Sequence, residues 1–143
     1  MELALTADDV TRLTDAQKDA VLACLFVALI ADGQPRPEER AKYDEAIATL
    51  PWGRTERDLE LANNAIRLRI ATADAQAKLG FVKEIAANVP VELRERVVLA
   101  MASIVAADRF ISHGEKASVS AFIHVFGLTA EQIENIRARI VAG

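Results

Sequence analysis

VLACLFVALIADGQPRPEER (residues 21–40) and VVLAMASIVAADRFISHGEK (residues 97–116) align without a gap, and the reading of this pair decides the fold. In each stretch an apolar run ends in Ala-Asp, and seven residues after that Asp stands a Glu followed by a basic residue. Asp32 matches Asp108, Glu39 matches Glu115 and Arg40 matches Lys116, each pair 76 positions apart. Repetition at a fixed offset predicts two helical hairpins related by an approximate two-fold, with corresponding acidic turns. Each apolar run lacks a polar side, which marks a central helix covered by neighbours on several faces.

Caps and breakers extend the helical reading outward from the two runs. Thr6 and Thr14 look like N-caps, and Thr14 with Gln17 forms a capping box ahead of a helix from Asp15 to about residue 31. Pro37 suits the first position of the next helix, which the Pro51-Trp52-Gly53 segment stops. Thr55 caps a third long helix with Leu59, Ala62, Ile66 and Ile70 at helical spacing. In the second half Thr72 is expected to cap a helix ending before Pro90, and another starts at Val91. Ser112 and Glu115 make a capping box, Gly127 a C-cap with Leu128 as its apolar contact, and Thr129 with Gln132 a last box. No stretch alternates with period two. The expectation is an all-α, single-domain bundle of seven to eight helices over residues 1–143, with repeat halves at about 14–50 and 91–126.

Composition agrees and narrows the function. The 143-residue chain is 52% hydrophobic but 5% aromatic, and six Gly and four Pro are too few for a many-turned β protein. A net charge of −4 argues against nucleic acid as a partner, and the arginines at 54, 57, 67 and 69 are interleaved with Glu56, Asp58 and Glu60. The longest uncharged apolar run, residues 20–31, is too short for membrane insertion, and the acidic N-terminus lacks the basic start of a secretory signal; a cytoplasmic protein is expected. Cys24 stands alone inside an apolar run and reads as a buried, inert thiol. No phosphate loop, zinc-protease motif or nucleophile triad is present, so no enzymatic activity is expected. His124, between Ile123 and Val125, is expected to be partly buried, and Trp52 to form a lid over the core.

The pattern A-D-G-x-x-x-x-E between an apolar and an amphipathic helix, together with ISHGEKASVSAFIHVFGLTAEQIENI at 111–136, resembles the TerB-like tellurite-resistance proteins over roughly residues 21–140. Two positions depart from the family pattern: Arg109 stands where a Gly is expected, and Pro35 where an aliphatic residue is usual. The resemblance implies a non-enzymatic stress-response module with acidic residues as a metal site and a protein partner for which it acts as adaptor.

The residues themselves allow the same chemistry. Asp32 and Asp108 follow helix C-termini, where unpaired carbonyls already make a negative potential that a cation would relieve. Glu39 and Glu115 stand one loop later on the first turn of the returning helix. The candidate ligands are therefore Asp32, Glu39, Asp108 and Glu115, an all-oxygen set suited to a divalent cation such as Ca²⁺, Mg²⁺ or Mn²⁺. An EF-hand is excluded, because Arg36 and Tyr43 occupy positions five and twelve of the would-be loop. The competing reading is a purely structural or protein-interaction bundle: Asp-Gly is an ordinary turn pair, and Glu115 is explained by Ser112. Glu39 has no such explanation, because an arginine occupies the cap position before it. The sequence leaves the oligomeric state open.

Overall fold

The computed structural model describes the backbone of residues 4–31, 35–106 and 113–142, and the side chains of these residues except 113–118 and 139–142. The described residues form eight α-helices and no strand: α1 (Ala7–Thr11), α2 (Asp15–Leu29), α3 (Pro37–Thr49), α4 (Glu56–Ala71), α5 (Ala75–Ala87), α6 (Arg94–Val105), α7 (His113–Phe126) and α8 (Ala130–Ala142). A short 3-10 turn (Val91–Leu93) leads into α6, so the helix expected from Val91 starts three residues later.

The two all-apolar runs lie where their composition requires. From Ala20 onward α2 buries every residue to Leu29 except half-buried Ala23, and α6 buries every residue from 97 to 105. These two helices make the most extensive helix–helix contact among the described residues. The buried side chains form one contiguous core, with Phe26, Leu25, Leu29, Met101, Ile104 and Phe122 among the largest. Cys24 is fully buried, and burial pushes its thiol well above its ordinary value, which keeps it protonated and inert. The ends of the apolar helices and the starts of the returning helices keep the sequence offset of 76: Leu29 with Val105, and Pro37 with His113. The outer ends do not: behind the 3-10 turn α6 starts three residues late, and α7 ends one residue late.

Local signals set most boundaries. Thr14 accepts from the Gln17 N–H at 3.2 Å while Gln17 accepts from the Thr14 N–H at 2.9 Å. The same reciprocal pairs join Thr55 with Asp58 and Thr129 with Gln132. After α7, Gly127 takes φ +68°, its N–H reaches His124 O at 3.2 Å, and the Leu128 N–H reaches Ile123 O at 3.3 Å, a Schellman closure. Thr72 behaves otherwise than expected. It closes α4, its hydroxyl donating to Leu68 O at 3.0 Å, and Asp74 caps α5 by accepting from the Ala77 N–H at 2.8 Å. A carboxylate two residues on outcompetes the hydroxyl, which bonds back into its own helix instead.

The connection between α3 and α4 is pinned from both sides. Trp52 is buried, and its indole N–H donates to Ala46 O at 2.9 Å, so it is the expected lid with its polar edge satisfied. Arg54 reaches back to α2 and holds Asp19 through Nε at 3.0 Å and Nη2 at 2.8 Å. Helix α1 is tied to α6 through Asp9 and Arg96 at 2.6 Å. Burial pushes the Asp9 carboxyl up, but hydrogen bonds with the Thr6 backbone and hydroxyl, and the nearby Arg96 charge, outweigh it and hold the group below the usual carboxylate range.

Candidate functional site

Of the four acidic residues singled out in the sequence, Asp32 and Asp108 lie outside the described residues, as do the Ser112 cap and the side chain of Glu115. Glu39 is described, and its position is unusual. It is fully buried on the first turn of α3, one of two buried polar or charged residues among those described. The other, Ser103, donates within its own helix to Ala100 O at 2.7 Å.

The Glu39 Oε1 accepts from the Arg36 backbone N–H at 2.9 Å. This corrects the expectation that Glu39 has no capping explanation. The reciprocal half of a capping box uses the backbone N–H of the cap residue, which every residue but proline supplies, so an arginine at that position does not prevent it. A guanidinium has no acceptor for the other half, and Arg36 makes no side-chain cap bond. Glu39 thus serves the helix start through Oε1 from a fully buried position.

No group of three or more His, Cys, Asp or Glu side chains able to hold a metal comes together among the described residues. Of the four acidic side chains only that of Glu39 is described, on the first turn of α3. His124 is exposed rather than partly buried: its neighbours Ile123 and Val125 turn toward the core while it takes the outer side of α7.

Two concavities frame this region. An open apolar hollow of about 460 Å³ lies among α2, α4, α5 and α7, lined by Val27, Ile30, Leu79, Val82 and Phe122, with Lys78 beside them. Ile30 and Ala31, the last residues before Asp32, belong to its wall. A more polar cleft of about 580 Å³ separates α3 from α4, with Phe26 and Tyr43 beside Arg40, Asn63 and Arg67. Tyr43 is buried and its hydroxyl accepts from Asn63 at 3.1 Å; burial pushes the phenol up.

The exposed arginines late in α4 reach across to neighbouring helices. Arg67 lies 5.3 Å over the Phe26 ring, and Arg69 lies 4.5 Å over Phe81 while pairing with Glu84 at 2.6 Å. Sequence reasoning also missed Arg94. Its guanidinium donates to Val89 O, Ala86 O and Phe126 O, joining the C-terminal ends of α5 and α7.

An all-α bundle built around two buried apolar helices defines the fold among the described residues. The chain belongs to the TerB family: the family model described as tellurite resistance protein TerB matches residues 18–138. No curated protein and no solved structure matches the chain. Among the described residues, no helix is long and apolar enough to cross a membrane.

Proposed function

We propose that this TerB-family bundle is a non-enzymatic stress-response adaptor whose acidic inter-helix connections bind a divalent cation. The family description, a tellurite resistance protein, supports the process. The observation that carries the site is Glu39, a fully buried carboxylate on the first turn after the Asp32 connection. A cation held there would draw carboxylate oxygens from the two sides of the connection, in keeping with the all-oxygen ligation of a hard divalent ion. Asp108 and Glu115 would form the corresponding, weaker site, because Arg109 places a competing positive charge beside Asp108. Metal binding at these turns would couple the connections to a protein partner.

A second reading has its own observation. The Oε1 of Glu39 already closes the start of α3, so the Asp–Glu spacing has a structural use without any ligand. Thermal unfolding with Ca²⁺, Mg²⁺ and Mn²⁺ separates the two. Under the first reading a cation at about one hundred times its dissociation constant adds roughly 2.7 kcal/mol, and Asp32→Asn removes most of that gain. Asp108→Asn removes less. Glu39→Gln keeps an acceptor for the Arg36 N–H but also lowers the gain. Melting curves that none of the three ions moves would leave the bundle as a structural or protein-interaction module.

A further inference from the structure

Helix α5 is anchored in the core at its far end. It buries only Ile85 and Ala86, and every residue from 75 to 84 is exposed or half-buried. Ala75 of α5 and Ala121 of α7 are too small to fill the space between the helices, which stays open as the hollow of about 460 Å³. The hollow reaches down to fully buried Phe122 and to Val27, and Leu79 on its wall is 39% exposed. An apolar concavity of a few hundred cubic ångströms with few polar groups is the ordinary form of a small-molecule site.

The wall chemistry narrows the ligand. Apart from Lys78, every described side chain of the wall is hydrocarbon, so none accepts a hydrogen bond and only one donates. No carboxylate among the described residues pairs with the Lys78 ammonium. Asp74, one turn earlier on the same helix, instead accepts from the Ala77 N–H at 2.8 Å. Arg69, which lies over the Phe81 ring of the wall, is already paired with Glu84. Among the described residues, Lys78 is thus the cation at this mouth that a ligand can still claim. A lysine lays its stem along apolar surface and keeps its ammonium at the water's edge, so the matching ligand is a hydrocarbon with one anionic end. A single ammonium suits a monoanionic carboxylate; a phosphate monoester, with close to two charges and three acceptor oxygens, would be left largely unmatched.

We propose that the hollow between α2, α5 and α7 binds a medium-chain aliphatic carboxylate, its chain against Val27, Val82 and Phe122 and its carboxylate on Lys78. A volume near the lower end of the range for small-molecule sites sets the chain at medium rather than long length. Binding requires no metal ion and goes beyond the proposed cation site.

Isothermal titration calorimetry of the full chain with octanoate, decanoate and decanol tests this at about pH 7, where lysine and carboxylate are both charged. Divalent ions are left out. Decanoate should bind with a dissociation constant below about 1 mM. Its two further methylenes should make it about fourfold to fifteenfold tighter than octanoate, the lower figure applying where the chain stays half-open to water. It should also bind at least about threefold tighter than decanol, through the ion pair. Lys78→Met, at an exposed position, keeps the stem and should erase that preference without changing the decanol affinity. Ala121→Phe should fill the hollow and abolish binding of both, with circular dichroism reporting the fold. Ala75→Trp, at an exposed position on the same wall, should do likewise if Ala121→Phe melts early. Absence of decanoate binding would overturn the proposal. So would decanol binding as tightly as decanoate, a Lys78→Met protein that keeps the preference, or undiminished binding by a folded variant that blocks the hollow.

Discussion

Arg94 supplies the sharpest test of how the second half of the bundle is held. Its Nε donates to Val89 O at 3.1 Å, Nη2 to Ala86 O at 3.0 Å and Nη1 to Phe126 O at 3.4 Å, and the guanidinium carbon lies 5.4 Å from the Phe126 ring centre. A positive charge there meets the negative ends of α5 and α7 together, joining two helices distant in sequence. Arg94→Met keeps most of the aliphatic stem and removes all three donors. A hydrogen bond from a charged group contributes about 1.5–3 kcal/mol. The sum is smaller than three such bonds, because the Phe126 bond is long and Ala86 O also accepts from the Val89 N–H at 3.1 Å. The working figure is a loss of about 3 kcal/mol, or about 10 °C in Tm for a chain of this size. Urea denaturation followed by circular dichroism measures it. Arg94→Lys should recover less than half, since one ammonium cannot reach three divergent carbonyls as a planar fork does. A loss below about 0.5 kcal/mol for Arg94→Met, within the range of an ordinary surface change, would refute the reasoning, as would a lysine variant as stable as the wild type.

Three further perturbations address other joints. Trp52→Phe removes the indole donor from Ala46 O in a buried setting and should cost about 1–2 kcal/mol in urea denaturation; an unchanged midpoint would mean the bond contributes nothing. Gly127→Ala should cost about 1 kcal/mol, all of it from backbone strain at φ +68°, since an added Cβ meets nothing within 4 Å; a neutral result would contradict the left-handed cap. The lowered Asp9 carboxyl adds stability above its unfolded value of about 3.9, and that increment is lost as pH falls through the folded value. Thermal melts between about pH 6 and about pH 2 should therefore show a shallower acid loss for Asp9→Asn than for the wild type, and equal slopes would exclude the group as a contributor.

The helical class, the two central helices and most helix ends were readable in the chain because each depends on neighbours within about four residues. An apolar run with no polar side has to be covered all round, and a Thr three residues before a Gln or Asp closes a helix start by itself. Two adjacent caps, Thr72 and Asp74, compete over the same short range, and their order is settled by which oxygen the turn brings to the next helix. Glu39 shows the border between the two kinds of information. Its place three residues after Arg36 marks a helix start whatever the cap residue is, but its complete burial depends on how α3 packs into the bundle. Arg94, Arg54 and Arg67 were illegible for the same reason: a long cationic side chain in a sequence does not reveal which distant carbonyl, carboxylate or ring it will meet. Nor does the pattern of α4 show which of its apolar residues the core covers. Local chemistry therefore determined where helices begin and end, whereas the packing of distant segments decided which charges are anchored and which apolar face is left open, because those contacts exist only once the helices are side by side.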